Sequence, residues 1–286
     1  MFDDNIFNFY EEVKDDLKFY GISSVRMKIM IGLVDGPKKT RQLRELTGIQ
    51  SSTILHGINE LERQKVVYKD GDTFCLSEIG EILTLKLIDL VKTVFALKNN
   101  QKLWLNHKLG DIPDDLLMDI GDLSNSKLIE AENTDVFKIY NEFNDILLQS
   151  KNIRGVSTVF HPDFIKIFLY LLDNDVKVEL ILSDAVLKKT IKSFNPKNLT
   201  DFLKFNSSGN LNLWVLNGDV EIAFTVTDKF LSLGLYTDNG VYDASKDLIS
   251  EDPDAILWGN KLFEYYRKKS DKIELKRLYK ILSHLI

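Results

Sequence analysis

The chain has a single cysteine, Cys75, so it can close no intrachain disulfide, and a reducing compartment is the simpler setting. It has no run of about 18 consecutive apolar residues, which excludes a membrane-spanning helix. The opening stretch "MFDDNIFNFYEEVKDD" offers neither a basic leader nor an unbroken apolar segment, so it does not read as a signal peptide. Positive charge is not in excess either: 37 Lys and Arg stand against 43 Asp and Glu, a net of −6. That balance excludes a generic polyanion binder but leaves room for one local basic face. The expectation is a soluble cytoplasmic protein with no membrane partner.

The spacings that carry chemistry are missing as well. There is no cysteine pair and no His-Glu-x-x-His for zinc, no Gly-x-Gly-x-x-Gly and no Walker loop for phosphates. Gly-x-Ser-x-Gly is absent, and "GVS" at 155–157 is no nucleophile elbow because Thr158 and Val159 continue a strand pattern. The expectation is therefore no catalytic residue, no metal, no cofactor and no enzyme activity.

What is present is ordinary globular material, 44% hydrophobic and 28% charged, over 286 residues. That length suggests two domains, placed at 1–100 and 101–286, with the break between about residues 100 and 125, where "HKLGDIPDDL" and "LSNSK" interrupt the pattern. In the first domain, residues 22–34 carry Ile22, Val25, Ile29 and Leu33 at helical spacing behind Ser23 or Ser24 as cap. "KKTRQLRELTG" follows, with Leu43 and Leu46 as its apolar pair and Gly48 as terminator. Then "SSTILHGINELER" opens a third helix whose apolar face is Ile54, Leu55, Ile58 and Leu61. Two β-rich arms around Asp70-Gly71 make a hairpin, and Ser77 caps the next helix. Three helices and a hairpin are a winged helix-turn-helix.

The opposite side of the third helix is a stripe of hydrogen-bonding side chains, Ser52, His56, Asn59 and Arg63, joined at its start by Ser51 and Thr53. Lys38, Lys39 and Arg41, with Lys69 on the wing, are the candidate phosphate contacts on double-stranded DNA. Glu60 and Glu62 in the same helix, and Asp70 and Asp72 on the wing, argue the other way, toward a protein–protein scaffold without DNA specificity. Residues 22–81, with "SSTILHGINELERQKVV" before a short hairpin and "LSEIGE", resemble the ArsR-type winged helices of prokaryotic transcription regulators. The cysteine and histidine ligands of that group's metal sensors are missing here. The next helix, "EILTLKLIDLVKTVFALKNN", is apolar on more than one side, which fits a homodimer partner or an interdomain packing helix.

From residue 153 the pattern alternates. "IRGVSTVF", "VKVELIL", "NLNLWVL", "VEIAFTVTD" and "KFLSLGLYT" read as strands, "HPDFIKIFLYLLDND" and "SDAVLKKTIKSF" as helices, and "DPDAILWGNKLFEYYRKKS" as a final helix. "DNGVYDASKDLIS" reads as turns, and "KIELKRLYKILSHLI" (272–286) as a short basic amphipathic helix. Strand–helix–strand order implies an α/β domain with a parallel pair, whose carboxyl-end loops are where a ligand settles. His161, Ser183 and Asp184 lie there, and Trp258 on the last helix is an aromatic candidate; together they are the candidate residues for a small-molecule effector. His161 also reads as a helix start, Ser183 and Asp184 as a cap, and Trp258 as core. "GVSTVFHPDF", "VKVELILSD", "FLSLGLYTDNGVYDASKDLIS" and "DAILWGNKLFEYYRKKS" resemble the C-terminal domain of archaeal methanogenesis regulatory proteins. The resemblance implies a transcription regulator of a methanogenic archaeon with a sensor-like domain. That domain is also distantly similar to the phospholipase D fold, without its His-x-Lys motif: His161 is followed by Pro162 and Asp163.

Overall fold

In the computed structural model, residues 5–132, 134–135 and 137–273 are described. The chain divides into two compact units, Met1–Val91 and Lys92–Ile286. The division falls within a helix, whereas the breaks in the sequence pattern lie beyond it.

The first unit opens with helix α1 (Ile6–Ile22), which buries none of its residues. Ser23 then caps α2 (Ser24–Leu33), its hydroxyl accepting from the Arg26 amide at 3.3 Å. Helix α3 (Thr40–Thr47) begins with the Gln42 side chain accepting from the Lys39 amide and stops at Gly48, whose φ of 71° a side chain would resist. Helix α4 (Ser51–Arg63) precedes the antiparallel strands β1 (Val67–Asp70) and β2 (Thr73–Leu76), and α5 (Glu78–Asn99) follows. Lys38 adds a backbone bridge to Phe74, so the wing is tied to the chain before α3. Ile29, Met30, Leu33, Leu43, Ile54, Ile58 and Leu61 form the core, which is the winged-helix arrangement the spacing predicts.

Three expected core residues lie outside it: Ile22, Leu46 and Leu55 are exposed. Ile22 ends α1 and so does not share a face with α2. Leu55 sits one step, about 100°, beyond Ile54 around the helix, which carries it off the buried face. Gly57 takes that face instead; a Cβ there would stand 2.8 Å from Ile29 Cδ1.

The second unit has helices α6 (Gln101–Asn106) and α7 (Asp114–Met118), strand β3 (Lys127–Glu130), helix α8 (Lys138–Leu147) and strand β4 (Asn152–Ser157). Helix α9 (Asp163–Asp173), strand β5 (Lys177–Leu182), helices α10 (Asp184–Lys192) and α11 (Pro196–Ser208), and strand β6 (Leu211–Leu216) come next. Strands β7 (Ile222–Thr227), β8 (Leu231–Leu235) and β9 (Lys246–Ser250), helix α12 (Pro253–Lys268) and strand β10 (Ser270–Lys272) complete it. The strands make one sheet in the order β10-β6-β5-β4-β7-β8-β9-β3. β4 and β5 are the parallel pair that the strand–helix alternation predicts, β6 adds a third parallel strand beyond it, and the remaining pairs are antiparallel. Helix α12 covers one face and α8 to α11 the other, giving two apolar layers.

The turn-rich reading of 238–250 is corrected by β9: Leu248 and Ile249 pair with β8 and β3, and cross-strand partners far away in sequence supply what the local signal lacks. Lys272 is in a strand, and the expected helix beyond it lies outside the described residues.

Wing and helix meet at a tight joint. The Ser77 amide donates to Val66 O at 2.9 Å, the Ser77 hydroxyl donates to Lys65 O at 2.7 Å, and the Gly80 amide donates to that hydroxyl at 3.0 Å. A Cβ on Gly80 would overlap the Val66 carbonyl oxygen, which is backbone and cannot rotate away. Gly80→Ala should therefore cost about 2 kcal/mol despite alanine's better helix propensity, read as a lowered denaturant midpoint of the full chain. An unchanged or raised midpoint would show that the joint is slack.

Candidate functional site

Helix α4 turns Ser52, Thr53, His56, Asn59 and Arg63 to solvent together, with Ser51 half-buried at its first turn. The acid in their midst does not share that freedom. Glu60 Oε2 takes a hydrogen bond from Arg26 Nη1 at 2.8 Å, and His56 Nε2 stands 3.8 Å from its other oxygen. Arg26 is itself fixed: its Nε donates to Phe19 O at 2.9 Å, and its guanidinium lies 4.0 Å over the Phe19 ring. The Arg26 hydrogen bond outweighs partial burial and holds the Glu60 carboxyl below its usual range. The stripe thus presents polar groups and Arg63, with the charge of Glu60 at its border paired to Arg26.

The expected phosphate contacts gather at the start of α3 and on the wing. Lys38 is half-buried with Nζ 3.4 Å from Gly36 O, Lys39 Nζ stands 3.8 Å from Asp72 Oδ2, and Arg41 Nε donates to Glu45 at 2.9 Å. Lys69 is exposed on β1 next to Asp70. Residues 38–76 hold seven basic and five acidic side chains, a local +2 within a chain of −6. Sequence reasoning missed Leu55, which stands exposed beside the stripe, and Tyr68, exposed on β1.

The second unit contains a cavity of about 370 Å³ between the sheet and helices α8 to α11. Strand residues of alternate register floor it, among them Gly155, Leu180, Leu213 and Thr225, while Phe164, Phe168 and Phe202 wall it from the helices. Polar groups collect at β8 and β9. Ser232 Oγ donates to Asp247 Oδ2 at 2.6 Å, and Asp247 Oδ1, buried, has no partner among the described residues. Burial pushes the Asp247 carboxyl up to about 7 and raises the phenol of Tyr242, which also lines the cavity. Gly234 leaves room for that ring, since a Cβ there would strike the Tyr242 hydroxyl.

Of the four effector candidates, only His161 lines this cavity, stacked on Tyr140 with ring centres 4.6 Å apart. Ser183 and Asp184 are taken up by α10: the Ser183 hydroxyl accepts from the Val186 amide at 3.2 Å, and Asp184 pairs with Lys188. Trp258 is wholly buried in the layer under α12, across the sheet, where its Nε1 donates to Leu116 O at 2.9 Å. Asp247 and Tyr242 went unread because 238–250 looked like turns, and Ser232 because it sits in a stretch that reads only as a strand. Among the described residues no cluster of three or more His, Cys, Asp or Glu could hold a metal ion, and no helix is long and apolar enough to cross a membrane.

Comparison with known proteins places both units. A model of the N-terminal domain of methanogenesis regulatory protein FilR1 matches residues 14–95, and one of its middle domain matches 136–269. Methanogenesis regulatory protein FilR1 of Methanothrix harundinacea (strain 6Ac) is 26% identical over 261 residues, which are 90% of this chain. The chain spans 58% of that relative's length. Among solved structures, TrmBL2, an archaeal chromatin protein, aligns at 12% identity over 90% of this chain and 98% of its own, with a TM-score of 0.41. Nuc, a phospholipase D family member from Salmonella typhimurium, aligns at 9% identity over 52% and 97%, with a TM-score of 0.37. Both scores are too low to bear on function.

The raised Asp247 carboxyl has a stability consequence. Its folded value near 7 lies above the roughly 3.9 of an unfolded aspartate, so its stabilising contribution is full below about pH 4 and is lost as pH rises through 7. Asp247→Asn removes this dependence. Its stability relative to the unsubstituted chain should rise by roughly 4 kcal/mol between pH 4 and pH 8, measured by urea unfolding. A flat difference over that range would place the carboxyl in contact with water.

Proposed function

The chain belongs to the FilR1 family of methanogenesis regulatory proteins, and from that premise we propose that it is a DNA-binding transcription regulator, a cytoplasmic homodimer that answers to a small molecule. The observation that carries the reading is the exposed polar face of α4, where the charge of Glu60 is offset by its pair with Arg26. Asn59 and His56 have the length and donor–acceptor pattern to read base edges in a major groove, and Arg63 extends the row. Ser51, Ser52 and Thr53, at the amino end of α4, suit phosphate oxygens, which helix N-termini favour. Lys38, Lys39, Arg41 and Lys69 add backbone contacts. Lys39 and Arg41 must exchange Asp72 and Glu45 for phosphate, so their net gain is modest.

The dimer reading rests on uncovered apolar surface. Phe7 is 77% exposed on α1, and α5 leaves Ile79, Ile82, Leu85, Leu90, Val94 and Phe95 exposed. A second copy covers such faces with the same faces, and two-fold pairs are how helix-turn-helix readers span two half-sites. Catalysis forms no part of this reading, because His161 is followed by Pro162 and Asp163 rather than by the lysine of a His-x-Lys motif. The wing carboxylates Asp70 and Asp72 favour a second reading, a protein-binding scaffold, which the same experiment separates.

Binding of the full chain to DNA from upstream of its own gene, against scrambled DNA and over a salt series, tests the proposal. His56→Ala with Asn59→Ala should cut specific affinity roughly 10- to 100-fold and leave scrambled-DNA binding unchanged. Lys69→Ala should flatten the slope of log affinity against log salt by about 0.9. Weak, equal binding to both DNAs by the unsubstituted protein would reject DNA reading and favour the scaffold. For the dimer, Ile82→Glu with Leu85→Glu should halve the mass seen by light scattering and weaken two-half-site binding at least tenfold; a dimer that survives the double change is built elsewhere.

A further inference from the structure

The cavity of the second unit is unusual in what surrounds its one carboxylate. Asp247 is 4% exposed; one of its oxygens takes a hydrogen bond from Ser232, the backbone amides of Leu233 and Leu248 favour its charged form, and the other oxygen is buried with no close hydrogen bond among the described residues. No lysine or arginine lines the cavity among those residues, so nothing in the wall neutralises that carboxylate. A buried charge is costly until it is paired. The walls are otherwise mostly aliphatic and aromatic, with the hydroxyls of Ser157, Thr190 and Thr225 and the imidazole of His161 among them, and the faces of aromatic rings attract cations. The volume, about 370 Å³, is more than double a cavity of roughly 150 Å³ that takes benzene and within the range of small-ligand sites.

From these features together we infer that the cavity binds a lipophilic amine: an apolar body held among Phe164, Phe168 and Phe202, with one cationic nitrogen donating to the free oxygen of Asp247. An anionic ligand finds no lysine or arginine here and meets a carboxylate. A neutral alcohol keeps the hydrogen bond but supplies no compensating charge. The unpartnered oxygen and the missing wall cation both follow from one cause, a site completed by its ligand. The raised carboxyl is the same vacancy of charge expressed as proton affinity: with an ammonium beside it, ionised Asp247 becomes the favoured form. The identification of this ligand as the effector rests on the regulator reading; the site itself does not.

The test uses the full chain, with n-octylamine, n-octanol and octanoate titrated separately by calorimetry at pH 8. Octylamine should bind one per chain, at least tenfold more tightly than octanol, with octanoate showing no binding. Asp247→Asn should erase the preference of amine over alcohol while retaining the alcohol. Ala223→Phe, which fills the floor of the cavity, should abolish binding of both, with retention of a cooperative melt checked for each variant. Equal affinity for amine and octanoate, an amine preference that survives Asp247→Asn, or binding undiminished by Ala223→Phe overturns the proposal, as does the absence of amine binding to the unsubstituted chain. DNA affinity measured on the same samples keeps the two readings apart: amine binding without specific DNA binding defeats the regulator and leaves the site standing, and the reverse result defeats the site alone.

Discussion

The Arg26–Glu60 ion pair is the constraint on which the exposed face of α4 depends. A helix that must pack on one side and present on the other has border positions that belong to neither, and Glu60 is one of them. Its charge stands one turn from His56, on the side from which phosphates would approach. Arg26 offsets that charge by holding one carboxylate oxygen, while its own guanidinium is pinned by the carbonyl and the ring of Phe19. One side chain of α2 thereby fixes the end of α1 and the border of α4. Both partners are partly screened from water, so the pair is stronger than an exposed one, and loss of either partner leaves a half-buried charge.

Much of the architecture was legible where local chemistry and burial agree. Ser23, Ser77 and Ser183 are helix caps in the structure as their positions in the sequence suggest, and Pro253 opens the last helix behind Asp252. The row of Ser52, His56, Asn59 and Arg63 lies on one exposed face because helical periodicity leaves it little choice. What failed was finer than periodicity. Leu55 and Leu46 are apolar by type but fall off the packed side, while Gly57, with no side chain, marks the closest approach of α4 to α2. Strand β9 owes its form to neighbours on both sides, which no window of sequence contains.

The interior cavity was the least legible feature, for a physical reason. A cavity is the volume that side chains from many elements leave unfilled, so its signal is spread over residues more than a hundred positions apart. Of the four residues chosen as effector contacts, the three that do not line the cavity each have a closer partner: an amide for Ser183, Lys188 for Asp184, a carbonyl for Trp258. A polar group already bonded within its own layer has nothing left to offer a ligand. Asp247 is the opposite case, since its strand is buried along most of its length and the one side chain that bonds it, Ser232 on the neighbouring β8, holds only one oxygen.

The sheet is bounded by its shortest strands, β10 with three residues and β3 with four, while its middle is built of strands of six. An exposed edge is a template for another chain's backbone, and its pull grows with the number of unpaired amides in register. Edges this short present few of them. Among the described residues the sheet thus offers little backbone rim on which a fibre could seed. The dimer proposed above draws instead on side chains of helices, where partner and stoichiometry are set by shape rather than by open-ended hydrogen bonding.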